Sequence, residues 1–409
     1  MPSAAHRKKS NKMDKILSII VPSCNMEAYL PKCLNSLVVD DEDLLQKLDV
    51  IVVNDGSKDR TSEIAHEFEA KYPGVFRVID KPNGHYGSCI NAALPVAKGT
   101  FVKVLDADDW YITDNFRDYL AFVNVQCLQA DSAPDLILND WEEGDETGRN
   151  AHRITFSYLD SPNKTLADIE FKNGHRFEMF AVAYRTDNLR SMGYSQPEGT
   201  THTDKIWIHS PMATVRRFAV FDKVVYHYYV SRPGNTCNAV EYYRTYHVQM
   251  EMLKRMIAQY NEIKDDLNLP ADTFFRNHLR YRAGRAYIVH LVDSSPLLLA
   301  GALKDLDDFL QEHTKWLYDE LDRATLPYGM HYHYIRDWRK HQCMSAMMKL
   351  RLGLVKFLSS KYWRLARSCE RVRVLTWHGL VLGVKGVLPR GLYGHVRGAW
   401  RKWQGGGAA

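Results

Sequence analysis

Between residues 14 and about 140, five short β-rich apolar runs alternate with helical stretches, and no other pattern limits the fold of this chain more. Ile16–Val21, Val50–Val53, Phe76–Ile79, Phe101–Leu105 and Leu136–Leu138 read as buried strands. Tyr29–Val38, Ser62–Lys71, Ser88–Val96 and Asn115–Gln129 read as the helices between them. Strands separated by helical stretches of about 10–15 residues predict βαβ units, an α/β fold and a parallel sheet. Ligands of such sheets bind beyond the carboxyl ends of the strands. Each polar motif in this half of the chain falls at one of those ends.

The first strand runs into Val21-Pro22-Ser23-Cys24-Asn25-Met26-Glu27. Proline donates no ladder hydrogen bond, so the backbone is expected to leave the sheet at Pro22. Asn25 and Glu27 then sit over the sheet edge, within reach of a base or ribose. The second strand ends in Asn54-Asp55-Gly56-Ser57-Lys58-Asp59-Arg60-Thr61. Gly56 allows a tight turn, Asp59 or Thr61 caps the next helix, and Asp55 is the first carboxylate past the strand, placed for a nucleotide. The third is followed by Asn83-Gly84-His85-Tyr86-Gly87-Ser88. Here Gly84 and Gly87 let backbone approach a ligand, and Ser88 is expected to open a helix whose free N–H groups favour phosphate. The chain has no Gly-x-Gly-x-x-Gly on its first strand, which removes the dinucleotide fingerprint.

The fourth strand ends in Asp106-Ala107-Asp108-Asp109. Carboxylates two apart on extended backbone face the same way. Such a pair suits a hard divalent cation that bridges to phosphate oxygens. Asp108 and Asp106 are the expected ligands of Mg²⁺ or Mn²⁺, with Asp106 nearer the ribose.

Composition narrows the alternatives. A net charge of +5 makes no global case for nucleic-acid binding, and no nucleic-acid partner is expected. The seven cysteines include no Cys-x-x-Cys pair and are odd in number, which predicts reduced thiols and no zinc site. Met1–Lys12 is basic and polar, without the apolar stretch of a secretory signal, and no window of about 18 apolar residues predicts a membrane span. The expected location is cytoplasmic.

In their order and spacing these motifs resemble family 2 glycosyltransferases of the GT-A fold. The Val21 to Leu30 stretch is similar to that family's opening motif, with Cys24 where Tyr is usual. Asn54 to Thr61 matches its Asn-Asp-Gly-Ser-x-Asp-x-Thr throughout. Asn83 to Asn91 matches its Asn-x-Gly…Asn segment, with Ile90 where Arg is common, and Asp106 to Asp109 matches its metal motif. The resemblance implies a Rossmann-like mixed sheet flanked by helices and followed by a mainly helical region. It implies a nucleotide-sugar donor, UDP the expected nucleotide, held by Pro22, Asn25, Glu27, Asp55, Asn83, Gly84, Ser88, Asn91 and Asp106. The family's Glu-Asp-x-x-Phe/Trp motif, whose Asp is the catalytic base, is closest here to Thr203-Asp204-Lys205-Ile206-Trp207. With Thr203 in place of Glu, Asp204 is the expected base, and its neighbours His202 and His209 stay open as alternatives. The expected reaction inverts the anomeric carbon of a sugar passed to a hydroxyl on a glycan or lipid-linked acceptor of the cell surface.

The expected organisation is a basic tail (1–13), a glycosyltransferase domain (14–236, with a donor half 14–112 and an acceptor half 113–236), a helical region (237–345), a basic segment (346–403) and a short tail (404–409). Lys349 to Lys402 holds 13 Lys or Arg and one acid, a net +12 against a chain total of +5, so the remainder carries −7. Leu354, Leu358, Tyr362, Leu365 and Val372 share one helical face there, opposite Lys356, Arg364, Arg367 and Arg371. A basic amphipathic helix predicts docking on an anionic membrane surface, peripheral at the inner face of the plasma membrane, or packing of its apolar face on the catalytic domain. Two other functions fit parts of the pattern: a nucleotide-sugar-binding scaffold without catalysis, and a nucleotidyltransferase. The second normally has a Gly-rich basic loop after its first strand, and Pro22–Glu27 has neither feature. A processive synthase is set aside for want of a Gln-x-x-Arg-Trp motif and membrane spans.

Overall fold

In the computed structural model, which describes residues 14–129, 133–149, 151–171, 177–230, 245–293, 296–325, 332–341 and 348–353, every residue of β1 (Leu17–Ser23) and β2 (Leu48–Asp55) is buried. Position explains it. β1 runs parallel between β2 and β4 (Phe101–Val104), and β2 runs parallel between β1 and β3 (Phe76–Lys81). Strands covered on both faces need apolar side chains in both directions and so read as unbroken apolar runs. The connections carry helices: α1 (Leu30–Asn35) and the short α2 (Glu42–Gln46) after β1, α3 (Thr61–Lys71) after β2, and α4 (His85–Ala93) after β3. α5 (Thr113–Cys127) follows the acidic motif and buries Phe116, Tyr119, Leu120 and Val123, one stripe at three-and-four spacing.

The sheet is mixed rather than parallel throughout, in the order β3-β2-β1-β4-β8-β6-β9-β5, with β7 paired to β6. β6 (Leu136–Gly144) is separated from β4 by β8 (Val182–Arg185), which runs antiparallel to both. The apolar run Phe177–Tyr184 supplies that strand, and an insertion from so far along the chain leaves no trace in local periodicity. β7 (His152–Ile154) returns from β6 as a hairpin. β9 (Phe218–Tyr229) runs parallel to β6, and its register shifts on either side of Asp140. Such an irregularity bends a strand, and the far half of β9 meets β5 (Trp110–Tyr111), the two residues next to the acidic motif.

Two expectations need correction. Pro22 does not leave the sheet; it lies within β1, paired with Val53. The Ile16 and Ile20 carbonyls accept bonds from Phe101 and Leu105 on the β4 side. By the two-residue alternation of a strand, Pro22 faces that side too, where the β4 ladder has already ended at Ile20 and Val104. Its missing N–H therefore removes no ladder bond. The sequence pattern of Lys205–Val215 likewise predicts a helix, but the structure has α7 (Asp204–Trp207) and a 3₁₀ turn at Ser210–Thr214. Pro211 has no N–H for the Trp207 carbonyl, and its ring excludes a continuous α-helix.

The first of two compact units ends at His278. Besides the sheet it holds α6 (Thr186–Ser191), α7 and α8 (Tyr246–Ile263), so part of the region expected to be separate and helical folds with the strands. α9 (Leu269–Asp293) begins in this unit. The second unit, from Leu279, contains α10 (Pro296–His313), α11 (Lys315–Leu321) and α12 (Tyr334–His341). Its buried centre is Arg339, which donates to Asp307 at 2.6 Å and Asp322 at 2.7 Å and lies 3.6 Å over the Tyr318 ring. None of the described helices is long and apolar enough to cross a membrane. The basic amphipathic stretch from 354 onward lies outside the described residues.

Candidate active site

Adjacent strands in a sheet are about 4.8 Å apart. Since only β1 lies between β2 and β4, those strands run about 10 Å apart, and Asp55 ends the first while Asp106 lies two residues past the second, on the same edge of the sheet. Asp55 is the last residue of β2, not the first beyond it. Its Oδ1 accepts from Lys81 Nζ at 2.6 Å and from the Gly84 N–H at 2.9 Å, and its carbonyl accepts from Asn83 Nδ2 at 2.9 Å. Lys81 Nζ also donates to Ser88 Oγ at 2.8 Å. One buried carboxylate thus organises the whole turn from β3 into α4. Gly56 permits this closeness: its φ is +69°, and a Cβ there would lie 2.9 Å from the Asn83 nitrogen. α4 opens at His85, three residues before the expected Ser88, whose hydroxyl bonds back to the His85 carbonyl at 2.7 Å.

The loops after β1 and β2 form one hydrogen-bonded body. Asn25, at φ +54°, accepts from the Lys58 N–H at 2.8 Å, and Glu27 Oε2 accepts from the Arg60 N–H at 3.0 Å. In return Thr61 Oγ1 accepts from the Met26 N–H at 2.7 Å, and Asp59 from the Glu27 N–H at 3.1 Å. Asn25 and Glu27 are exposed on this rim, and these bonds give both a shaping role.

Around the acidic motif, Tyr226 acts as a clamp. Its hydroxyl accepts from the Asp106 N–H at 3.3 Å and donates to Asp109 Oδ2 at 2.5 Å, while Asp109 Oδ1 accepts from the Tyr229 N–H at 2.8 Å. Asp109 is therefore turned inward, and burial, followed by the charges of Asp108 and Asp106, pushes its carboxyl well above the usual range. Asp106 and Asp108 stay half-exposed. One oxygen from each of the three lies within 4.8 Å of the others, the one such cluster of three or more metal-ligating side chains among the described residues. This hard, all-oxygen donor set fits Mg²⁺ or Mn²⁺.

Tyr86 links the acidic motif to the second half of the domain. Its hydroxyl donates to Asp106 Oδ1 at 2.8 Å. The phenol is held well above its ordinary value by burial, then by the Asp106 charge and hydrogen bond, and then by the charge of Asp204. Asp204 therefore lies close enough to act on a side chain that touches the metal motif. It is the first residue of α7 and half-exposed. The alternatives are placed differently. The ring of His202, at φ +60°, bonds Thr245 Oγ1 at 2.8 Å, and burial, then the Lys205 charge, lowers its basicity. His209 is in the core, with Nδ1 3.1 Å from His278 Nδ1 and Nε2 3.2 Å from the Met256 carbonyl.

Asn91, expected at the donor, bonds the loop before α7. Its Oδ1 accepts from the Gln196 N–H at 2.8 Å, and its Nδ2 donates to the Gln196 carbonyl at 2.9 Å and to Glu198 at 2.8 Å. The Gly199 N–H donates to the Gly84 carbonyl at 2.9 Å. The loop comes so near α4 that a Cβ on Gly87 would lie 2.1 Å from the Pro197 carbonyl oxygen. Sequence reasoning passed over Lys81, Tyr86 and Tyr226. Only Tyr86, inside the Gly-rich stretch, carried a local hint.

Residues 18–193 match the sequence model of the family described as glycosyl transferase family 2. Over 104 residues the chain is 36% identical to an uncharacterized glycosyltransferase of Mycoplasma pneumoniae, covering 25% of this chain and 34% of that protein. Over 220 residues it is 24% identical to the minor teichoic acid biosynthesis protein GgaB of Bacillus subtilis, covering 54% of this chain and 23% of GgaB. The chain thus matches about a third or less of the length of these two curated relatives. Among solved structures, S. aureus TarS 1–349 in complex with UDP-GlcNAc shares the GT-A fold, with a TM-score of 0.58 at 18% identity over 84% of this chain and 91% of that one.

Proposed function

The chain belongs to glycosyl transferase family 2 through residues 18–193, and on that premise we propose that it transfers a sugar from a UDP-sugar to a hydroxyl of a glycan or lipid-linked acceptor in cell-surface polysaccharide assembly. The observation that carries this reading is Tyr86, bonded to Asp106 and within the field of Asp204. Through it, a carboxylate suited to an acceptor hydroxyl neighbours the carboxylates suited to a donor diphosphate. GgaB, named for teichoic acid biosynthesis, and TarS, solved with UDP-GlcNAc, support the donor and acceptor classes.

In this reading Asp55, Asn83, Gly84 and Ser88 shape the nucleotide pocket at the ends of β2 and β3. Asn25, Glu27 and Asn91 fix the loops around it, and Pro22 lies within β1. Asp108 and Asp106 would hold Mg²⁺ or Mn²⁺, with Tyr226 and Tyr86 setting the angle of that motif, and the cation would supply Lewis-acid stabilisation of the departing diphosphate. Asp204 accepts the proton of the acceptor hydroxyl as its oxygen bonds to the anomeric carbon. The bond from that carbon to the diphosphate breaks with its electron pair on the leaving group, and attack from the opposite face inverts the centre.

Replacing Asp204 by Asn tests the assignment. Donor binding is expected to persist while transfer falls by at least about 10²-fold, the scale of a general base. Transfer at the normal rate in Asp204→Asn would move the base elsewhere.

A further inference from the structure

Past the acidic motif the sheet edge continues into a surface that the donor chemistry does not use. β8 runs antiparallel to both β4 and β6, so β6 and β9 point the same way as β1 to β4. Their last residues therefore emerge at the edge where Asp55 and Asp106 lie. In the strand order β6 and β9 stand on the opposite side of β4 from β2 and β3, whose ends shape the nucleotide pocket. The surface at their ends is on the acceptor side of the acidic motif.

Alternation along β9 sorts its final side chains. Tyr226, the clamp on Asp106 and Asp109, shares a face with Tyr228, whereas His227 points the other way and bonds Glu142 at 2.9 Å. The Phe180 ring bridges the two tyrosines, stacked 4.5 Å from Tyr226 and 4.8 Å from Tyr228. Tyr226 and Phe180 are buried, but Tyr228 is half-exposed. It stands two residues from the clamp, roughly 7 Å along the strand, a gap that one sugar unit can bridge. Phe180 belongs to the 3₁₀ turn Met179–Ala181, against which α7 packs, and the Met179 sulfur lies 3.4 Å from the Tyr86 hydroxyl. The aromatic group is thus tied both to the acidic motif and to the helix that begins at Asp204.

The half-exposed ring has polar flanks. Glu143 of β6 pairs with Tyr228, and His152 of β7 pairs with Glu143, so the register sets the three in a row on one face. His152 Nδ1 is 3.6 Å from Glu143 Oε1, and these side chains are 59% and 24% exposed. An aromatic ring offers an apolar face, a carboxylate accepts from hydroxyls, and an imidazole donates or accepts. A pyranose carries the matching set, with C–H groups on its face and hydroxyls at its rim. An anion would meet the Glu143 carboxylate, and an acyl chain would find one ring bounded by polar groups. We propose that Tyr228, backed by Phe180 and flanked by Glu143 and His152, binds a sugar ring of the acceptor by stacking. The assignment rests on the proposed function for the side of the acidic motif on which the acceptor lies.

Saturation-transfer NMR on the full chain tests it, with the methyl β-glycosides of glucose, galactose, N-acetylglucosamine and N-acetylgalactosamine as probes. UDP with Mn²⁺ is present throughout to fill the donor site, and the melting shift it gives reports on that site separately. Tyr228→Leu keeps apolar bulk beside Phe180 but removes the flat ring; Tyr228→Phe keeps the ring but removes the hydroxyl. At least one glycoside is expected to bind the wild type, to bind Tyr228→Leu at least about tenfold more weakly, and to bind Tyr228→Phe within about twofold of the wild type. The UDP–Mn²⁺ shift is expected to be unchanged in both variants. Binding by no glycoside, equal binding to Tyr228→Leu, or an equal loss in Tyr228→Phe overturns the proposal. So does displacement of the glycoside when UDP-N-acetylglucosamine replaces UDP, which assigns the ring to the donor sugar, or binding by uridine alone, which assigns it to a base. Ring-dependent glycoside binding without any UDP–Mn²⁺ shift counts against the proposed function and leaves the stacking assignment in place.

Discussion

Removing the ammonium of Lys81 gives a sharp test of how the donor pocket is held. Lys81 Nζ lies 2.6 Å from Asp55 Oδ1, with the two side chains 19% and 4% exposed. At an effective dielectric constant of about 20 the pair attracts by about 6 kcal/mol before desolvation is counted. Lys81→Met leaves the carboxylate buried with the Gly84 N–H as its remaining named donor. Stranding a buried charge costs about 3–5 kcal/mol, and the partial exposure of Lys81 points to the lower end. For a unit of this size, about 3 kcal/mol lowers Tm by roughly 6 °C or more. Urea unfolding followed by tryptophan fluorescence measures it. The double variant Asp55→Asn/Lys81→Met, in which no charge is stranded, is expected to recover at least about 1.5 kcal/mol relative to additivity. A loss below about 1 kcal/mol, the level of a surface pair, or strict additivity in the double variant, would refute the reasoning.

Three further outcomes are expected. Asp108→Ala should abolish the Mn²⁺-dependent part of the donor-induced melting shift; an unchanged metal response would exclude Asp108 as a ligand. Gly87→Ala places a Cβ 2.1 Å from the Pro197 oxygen, so transfer should fall by about 10²-fold, as for a reacting group misplaced by about 1 Å, which initial-rate assays would show. Burial, followed by the Asp222 charge, pushes the Asp140 carboxyl up to about 6. A raised carboxyl favours the folded state fully below its ordinary value and loses that contribution as pH rises through about 6, so Asp140→Asn should be neutral near pH 4 and stabilising by about 1–2 kcal/mol at pH 7, allowing for solvent screening. Thermal melts across that range would show it, and equal shifts at both ends would count against it.

What could be read from the sequence follows from the range of the interactions. β1 to β4 were legible because each is a mostly apolar run closed by a polar turn, and Asp55, Asp106 and Asp108 were legible because a carboxylate is conspicuous against such a run. β5, β7 and β8 have two to four residues each, too few for a period to show, and β8 enters the sheet from far along the chain. Pro22 was misjudged because its tolerance depends on where β4 stops, a fact of the neighbouring strand. Lys81, Tyr86 and Tyr226 act through partners 26, 20 and 117 residues away, and no window of sequence contains both ends of those bonds.

The bond from Gly199 to Gly84 fixes one end of a short tether whose other end carries Asp204. A single added residue lengthens such a tether by up to about 3.5 Å. Proton transfer tolerates far less displacement than that. The number of residues between Gly199 and Asp204 is therefore fixed: an insertion there should silence transfer even when every named residue is intact.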